Sequence, residues 1–187
     1  MINKVVFSLI VFISLSFRSL SEQTPEEIRQ KGDKITAVTG QTLSKSVMNA
    51  MSKGGISEAV KFCNVAAYPL TDSLAKTNQV SIKRTAIRWR NSKNKPSKQE
   101  KQLFSAFELE KQQGKILEAK IIKQKNGDWL YAKPIILQAQ CQVCHGKLGE
   151  TLLADNYKTI QKYYPKDKAI DFSTGDIRGM WVLTFKN

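Results

Sequence analysis

Histidine is nearly missing from this 187-residue chain, in which His145 is the one imidazole. That excludes any site needing two histidines from a single molecule, whether a bis-histidine metal centre or a histidine ligand served by a second histidine as acid–base catalyst. Cysteine is scarce and odd in number: Cys63, Cys141 and Cys144 are all there are. A disulfide would leave one thiol over, whereas two covalently modified cysteines plus one metal-ligating or buried thiol account for all three. Acidic residues are outnumbered, 16 against 30 lysines and arginines, giving a formal charge of +14. Beyond the N-terminus no apolar run is long enough to span a bilayer. No repeat or low-complexity linker divides the chain, so one domain is expected.

The N-terminus predicts export. Lys4 supplies a positive start, Val5 to Phe17 is an apolar run broken only by serines, and Ser19 and Ser21 put small residues where a signal peptidase reads. The expectation is a signal peptide over residues 1–21, a mature domain over 22–187 and a periplasmic destination. No cysteine follows the apolar run to take a lipid. Loss of Lys4 and Arg18 would leave a formal charge of +12. A basic exported protein meets no nucleic acid. Its charge is either a solvated surface or a field that steers it toward an acidic redox or signalling partner or toward anionic headgroups. Bases crowd between Lys83 and Lys101, where Glu100 is the one acid.

Thr24-Pro25-Glu26-Glu27 reads as a helix start with a capping box. Apolar residues from Ile28 to Met51 continue at helical spacing until Gly54-Gly55 stops them. A second helix is expected from Ser57, carrying Val60, Cys63 and Ala67, with Pro69 bending or ending it. Val80 to Trp89 alternates like a strand. Ser97 caps a helix with Leu103, Phe104, Phe107 and Leu109 as its apolar residues. Ile116 to Lys123 and Trp129 to Leu137 flank Asn126-Gly127, a hairpin signal. A helix around Tyr157 to Tyr163 and a strand from Arg178 to Phe185 close the chain. The class is α+β: an antiparallel sheet of about four strands, with helices ahead of it and beside it.

Cys141-Gln142-Val143-Cys144-His145 is the attachment pattern of a c-type haem. Two thiols a helical turn apart add to the two vinyl groups on one porphyrin edge, and the adjacent histidine falls beneath the iron. A zinc site built from Cys63, Cys141, Cys144 and His145 competes with this reading, but sequence-adjacent Cys144 and His145 reach one small tetrahedral ion awkwardly. A thioredoxin-type redox pair is the other competitor, and it would not need the histidine. With haem c, Cys141 and Cys144 are the covalent anchors and His145 an iron ligand. The opposite axial position then falls to Cys63, Met48, Met51 or Met180, or to lysine, water or nothing. Arg84, Arg88, Arg90 and Arg178 are candidate partners for the haem propionates, because buried carboxylates need charged or hydrogen-bonding partners.

Further motifs carry a family likeness. These are Ala59-Val60-Lys61-Phe62-Cys63-Asn64 with Ala66, Arg84-Thr85, Arg90-Asn91-Ser92-Lys93-Asn94-Lys95-Pro96 with Glu100, and Tyr131-Ala132-Lys133-Pro134-Ile135. Cys141 to Gly146, Tyr164-Pro165-Lys166-Asp167-Lys168-Ala169 and Gly175-Asp176-Ile177-Arg178-Gly179 follow in order. Over about Thr39 to Phe185 the chain resembles a family of single-haem c-type proteins with a PAS-like α/β domain, long known as a domain of unknown function. The family more often has proline where Ser92 stands, and glycine-tyrosine where Asp171-Phe172 stands. The resemblance implies a PAS-like sheet and Cys63 as the axial ligand opposite His145. It also implies a redox or ligand sensor, since the domain serves as the sensory region of bacterial receptors. A soluble periplasmic electron carrier is the alternative. An iron with both axial sites filled leaves no room for peroxide, so no enzymatic activity is expected.

Overall fold

The computed structural model describes residues 23–186; the expected signal peptide lies outside them. Helix α1 (Pro25–Val65) begins where the sequence places it. The Glu27 N–H donates to Thr24 Oγ1 at 3.2 Å, the Thr24 N–H donates to the Glu27 carboxylate at 2.8 Å, and Pro25 fills the first turn. The helix breaks at Gly54 and Gly55, and Gly55 takes φ 63°, a left-handed conformation that suits glycine. Beyond the break a second segment carries Val60 and Cys63. Helix α2 (Ala67–Thr77) follows at once, so Pro69 does not end a helix: it lies in the first turn of a new one, where its missing N–H is not needed. The change of direction falls earlier, at Ala66.

Strand β1 (Ser81–Thr85) is shorter than the alternation over Val80 to Trp89 suggests. At Ala86 the backbone N–H turns to the Asn94 carbonyl, 3.1 Å away, and the chain leaves the sheet. Helix α3 (Lys98–Gln112) has the expected Ser97/Glu100 capping box, but Leu109 faces solvent at 54% exposure while Leu103, Phe104 and Phe107 are buried. Strands β2 (Lys120–Lys123) and β3 (Trp129–Ile136) form the hairpin through a loop over 124–128 in which Gly127 has φ 89°. Residues 116–119 stay outside the strand. A short helix α4 (Gln142–His145), helix α5 (Ala154–Tyr163) and strand β4 (Ile177–Phe185) complete the order.

The four strands make one antiparallel sheet in the order β1-β4-β3-β2, consistent with a PAS-like α+β fold. Strand alternation sends Ile82, Trp129, Tyr131, Trp181, Leu183 and Phe185 to one face, against Ile28, Ile35 and Leu43 of α1. Leu130, Ala132, Met180 and Val182 take the other face, against α3. Met180 is therefore core on the α3 side. Among the described residues no helix is long and apolar enough to cross a membrane.

Candidate cofactor site

The Cys141–His145 segment follows β3 in the chain, and Cys144 packs on a cluster that includes Val60 of the second segment of α1. A single 3₁₀ turn, Ala139–Cys141, runs directly into α4, so Cys141, Cys144 and His145 lie on successive tight turns. Cys141 packs against Leu137, Ala169 and Phe172. Cys144 packs in another cluster with Val60, Leu152, Ile160 and Tyr164. Val60 lies one turn before Cys63 on α1, and Cys63 and Cys144 are close enough for the charge of Cys63 to raise the pKa of Cys144. All three cysteines are free thiols, each partly buried.

The His145 ring is fixed by one hydrogen bond. Its Nδ1 lies 2.7 Å from the Ala169 carbonyl; a carbonyl can only accept, so Nδ1 carries the proton and Nε2 keeps its lone pair. Arg178 Nε lies 3.2 Å from the same Nδ1. With Nδ1 protonated, that approach is a contact between two donors rather than a hydrogen bond. The loop carrying Ala169 is tied to α4 at two further points: the Asp171 N–H donates to the Gly146 carbonyl at 2.8 Å, and the Phe172 N–H to the His145 carbonyl at 3.0 Å. Asp171 adopts φ 60°, the left-handed conformation that glycine takes most readily and aspartate tolerates. Phe172 meets His145 edge-on, ring centroids 6.4 Å apart.

Burial pushes the His145 pKa well below its ordinary value, with the cations Arg90 and Arg178 acting in the same direction and the Ala169 hydrogen bond opposing them. The imidazole is neutral, the form that binds a metal. Burial raises the Cys63 thiol, partly offset by Arg84 and Arg90. Cys144 is pushed up to about 11, first by burial, with Arg90 opposing and Cys63 and Cys141 adding.

The four arginines divide into two kinds. Arg88 is engaged, with Nη1 donating to the Ile170 carbonyl at 2.9 Å and its guanidinium 3.6 Å from the Phe172 ring centroid. Arg90 is also engaged, with Nη2 donating to the Cys144 carbonyl and lying 3.1 Å from Asp167 Oδ2. Among the described residues Arg84 and Arg178 make no salt bridge, although Arg178 Nη1 donates to the Arg88 carbonyl at 3.2 Å. Arg84 stacks over Trp181 at 6.0 Å, and its pKa falls through burial. Arg178 falls to about 9, through burial first and then Arg90, with Asp167 opposing and Arg84 and Arg88 adding to the decrease. A β-bulge aims Arg178 here: Ile135 pairs with Gly179 and Ile136 with Ile177, so Arg178 is the extra residue. Two desolvated cations that make no salt bridge among the described residues suit a group bearing two carboxylates, and a neutral histidine whose Nδ1 holds the proton suits its metal. These residues fit a haem c. Among the described residues no three histidine, cysteine or acidic side chains converge on one ion site.

Sequence reasoning did not single out Asp167, Ala169, Trp181 or Phe172 as site residues. Asp167 is buried with Arg90, and that alone would have marked it, but burial of an acid has no local signal in sequence.

The fold and this segment define a class: a one-sheet α+β protein whose Cys-X-X-Cys-His turn faces the second segment of a long N-terminal helix. The chain belongs to the Tll0287-like family, whose sequence model matches residues 14–185. Among solved structures it is similar to the cyanobacterial heme-protein Tll0287, at 27% sequence identity and a TM-score of 0.60, over 88% of this chain and 98% of that one. No curated protein matches the chain.

Proposed function

We propose that this chain is an exported, periplasmic mono-haem c-type protein acting in redox or ligand sensing. Cys141 and Cys144 would hold the haem covalently, and His145 and Cys63 would ligate its iron. The observation that carries this reading is His145 itself: Nδ1–H is committed to the Ala169 carbonyl and Nε2 is left for iron, on the same turn as two thiols at attachment spacing. The heme-protein Tll0287, similar over nearly its whole length, supports it. A bound haem supplies a one-electron ferric/ferrous couple, which a thiolate ligand biases toward ferric.

The chain's own residues then set the chemistry. The Ala169 carbonyl orients the imidazole and raises its basicity. Arg84 and Arg178 neutralise the propionates. Burial favours the thiol form of Cys63, opposed by the charges of Arg84 and Arg90. Cys63 would hold the iron as a thiolate and would be the group able to take up a proton, which would couple its hold on the metal to redox state or pH. The output passes to a partner protein of acidic character, drawn by the formal charge of +12 left once Lys4 and Arg18 are removed with the signal peptide. That same charge favours the second reading, a soluble electron carrier with the same ligands, and a measured interprotein electron-transfer rate separates the two. An iron held by both His145 and Cys63 would offer no open site to a substrate, so we propose no enzymatic activity; an exported destination gives no nucleic-acid partner.

Expressed with a c-type maturation system, the chain should carry one haem that acidified organic solvent does not extract. Pyridine haemochrome and intact mass decide this, and a colourless protein of apo mass overturns the reading.

A further inference from the structure

Two motifs far apart in sequence meet behind His145. Arg90 Nη2 faces three acceptors: the Cys144 carbonyl at 2.5 Å, the Ala169 carbonyl at 3.2 Å and Asp167 Oδ2 at 3.1 Å. Asp167 is wholly buried and the Arg90 side chain is 11% exposed. Asp167 Oδ1 accepts the Ala169 N–H at 2.9 Å, and the Lys168 N–H donates to the Trp89 carbonyl at 3.0 Å, so the loop is pinned beside Arg90. Asp167 Oδ2 has the ion pair but no hydrogen bond of good geometry, and Arg90 Nε is likewise buried without a partner. A buried charge pair this incompletely satisfied adds little stability of its own. Its placement has a different consequence. The Ala169 carbonyl that accepts the His145 Nδ1–H also accepts from Arg90, and an acceptor shared with a cation binds the imidazole proton less strongly.

We propose that Arg90, anchored by Asp167, is a positioning residue for His145: it shares the Ala169 carbonyl with the imidazole and so limits how much electron density Nε2 can donate. This rests on the haem reading above. A histidine with the whole carbonyl would be the stronger donor and would favour ferric iron more.

The test uses the holoprotein and two conservative variants. Arg90→Lys keeps the charge but replaces a planar fork with a point donor that cannot span the same acceptors. Asp167→Asn turns an amide NH₂ toward the Arg90 guanidinium, donor against donor, and displaces it. Both variants release the Ala169 carbonyl to His145, so both should shift the midpoint potential downward and move the His145 Nδ1 ¹⁵N resonance toward stronger hydrogen bonding. Simple charge effects give another pattern: no change for Arg90→Lys and an upward shift for Asp167→Asn, where a negative charge is lost. That pattern overturns the proposal. In the wild type, the low-spin ferrous protein should show a cross-peak between the Arg90 Nη protons and the His145 Nδ1 proton, whether or not either variant folds. Its absence also overturns the proposal. Wild-type protein without covalent haem would refute the haem reading instead, and the haemochrome assay separates the two failures.

Discussion

Gly146 follows His145 directly, and its replacement tests how tightly the turn is built. A β-carbon there would lie 2.0 Å from Thr151 Oγ1, 2.9 Å from Thr151 Cβ and 2.6 Å from the Gln142 carbonyl oxygen. Carbon atoms in good contact sit about 3.5–4.0 Å apart. The threonine can rotate away, at the cost of the hydrogen bond its Oγ1 accepts from the Lys147 N–H at 3.0 Å, worth about 1 kcal/mol. The Gln142 carbonyl cannot rotate, because it accepts the Gly146 N–H at 2.7 Å. Overpacking of this kind costs about 1–3 kcal/mol. Gly146→Ala should therefore lose about 2 kcal/mol in urea unfolding followed by circular dichroism, with the slope unchanged, and Tm should fall by roughly 4–8 °C. Thr151→Ala removes the closest of the three contacts, the Oγ1, while its Cβ at 2.9 Å and the Gln142 carbonyl remain. The double variant should therefore be less destabilised than the sum of the singles by about 0.5 kcal/mol or more. A single-variant loss below about 0.5 kcal/mol, or strict additivity, refutes the steric reasoning.

Three further outcomes are expected. Cys63→Ala should abolish a low-spin thiolate EPR signal, raise the potential and open the iron to carbon monoxide; an intact signal in that variant, disturbed instead by Met48→Ala or Met51→Ala, would move the ligand to a methionine. Arg84→Gln and Arg178→Gln should each lower the midpoint potential, since each removes a cation that favours ferrous iron, and two unchanged potentials would detach these residues from the propionates. Burial raises the Asp33 carboxyl, but hydrogen bonds from Lys133 and Tyr131 and the charges of Lys133 and Arg29 outweigh it and leave its pKa below the ordinary value. Its contribution is thus complete above the unfolded carboxylate value near pH 4 and lost as pH falls through the lower folded value. Asp33→Asn should flatten the acid limb of a urea-stability profile, and an unchanged limb would show that the pair contributes nothing.

What the sequence determined by itself is local. The capping boxes at Thr24 and Ser97, the stop at Gly54-Gly55, the hairpin around Gly127 and the Cys141–His145 turn depend on neighbours within about four residues, so composition and spacing suffice to read them. Pro69 and Leu109 mark the limit even there. A proline ends one helix or opens the next according to where the first turn falls, and an apolar residue at helical spacing is core only if something covers that face. The tertiary structure alone decided the rest. It brought Cys63 of α1 near Cys144, left Arg84 and Arg178 without a salt bridge among the described residues and turned Arg88, Arg90 and Arg178 to backbone carbonyls. It also put Met180 on the far side of the sheet and buried Asp167 against Arg90. Each of these depends on register, a bulge or the packing of segments distant in sequence. Desolvation and pairing, which set the charge and donor state of every group in the site, exist only once those segments have met.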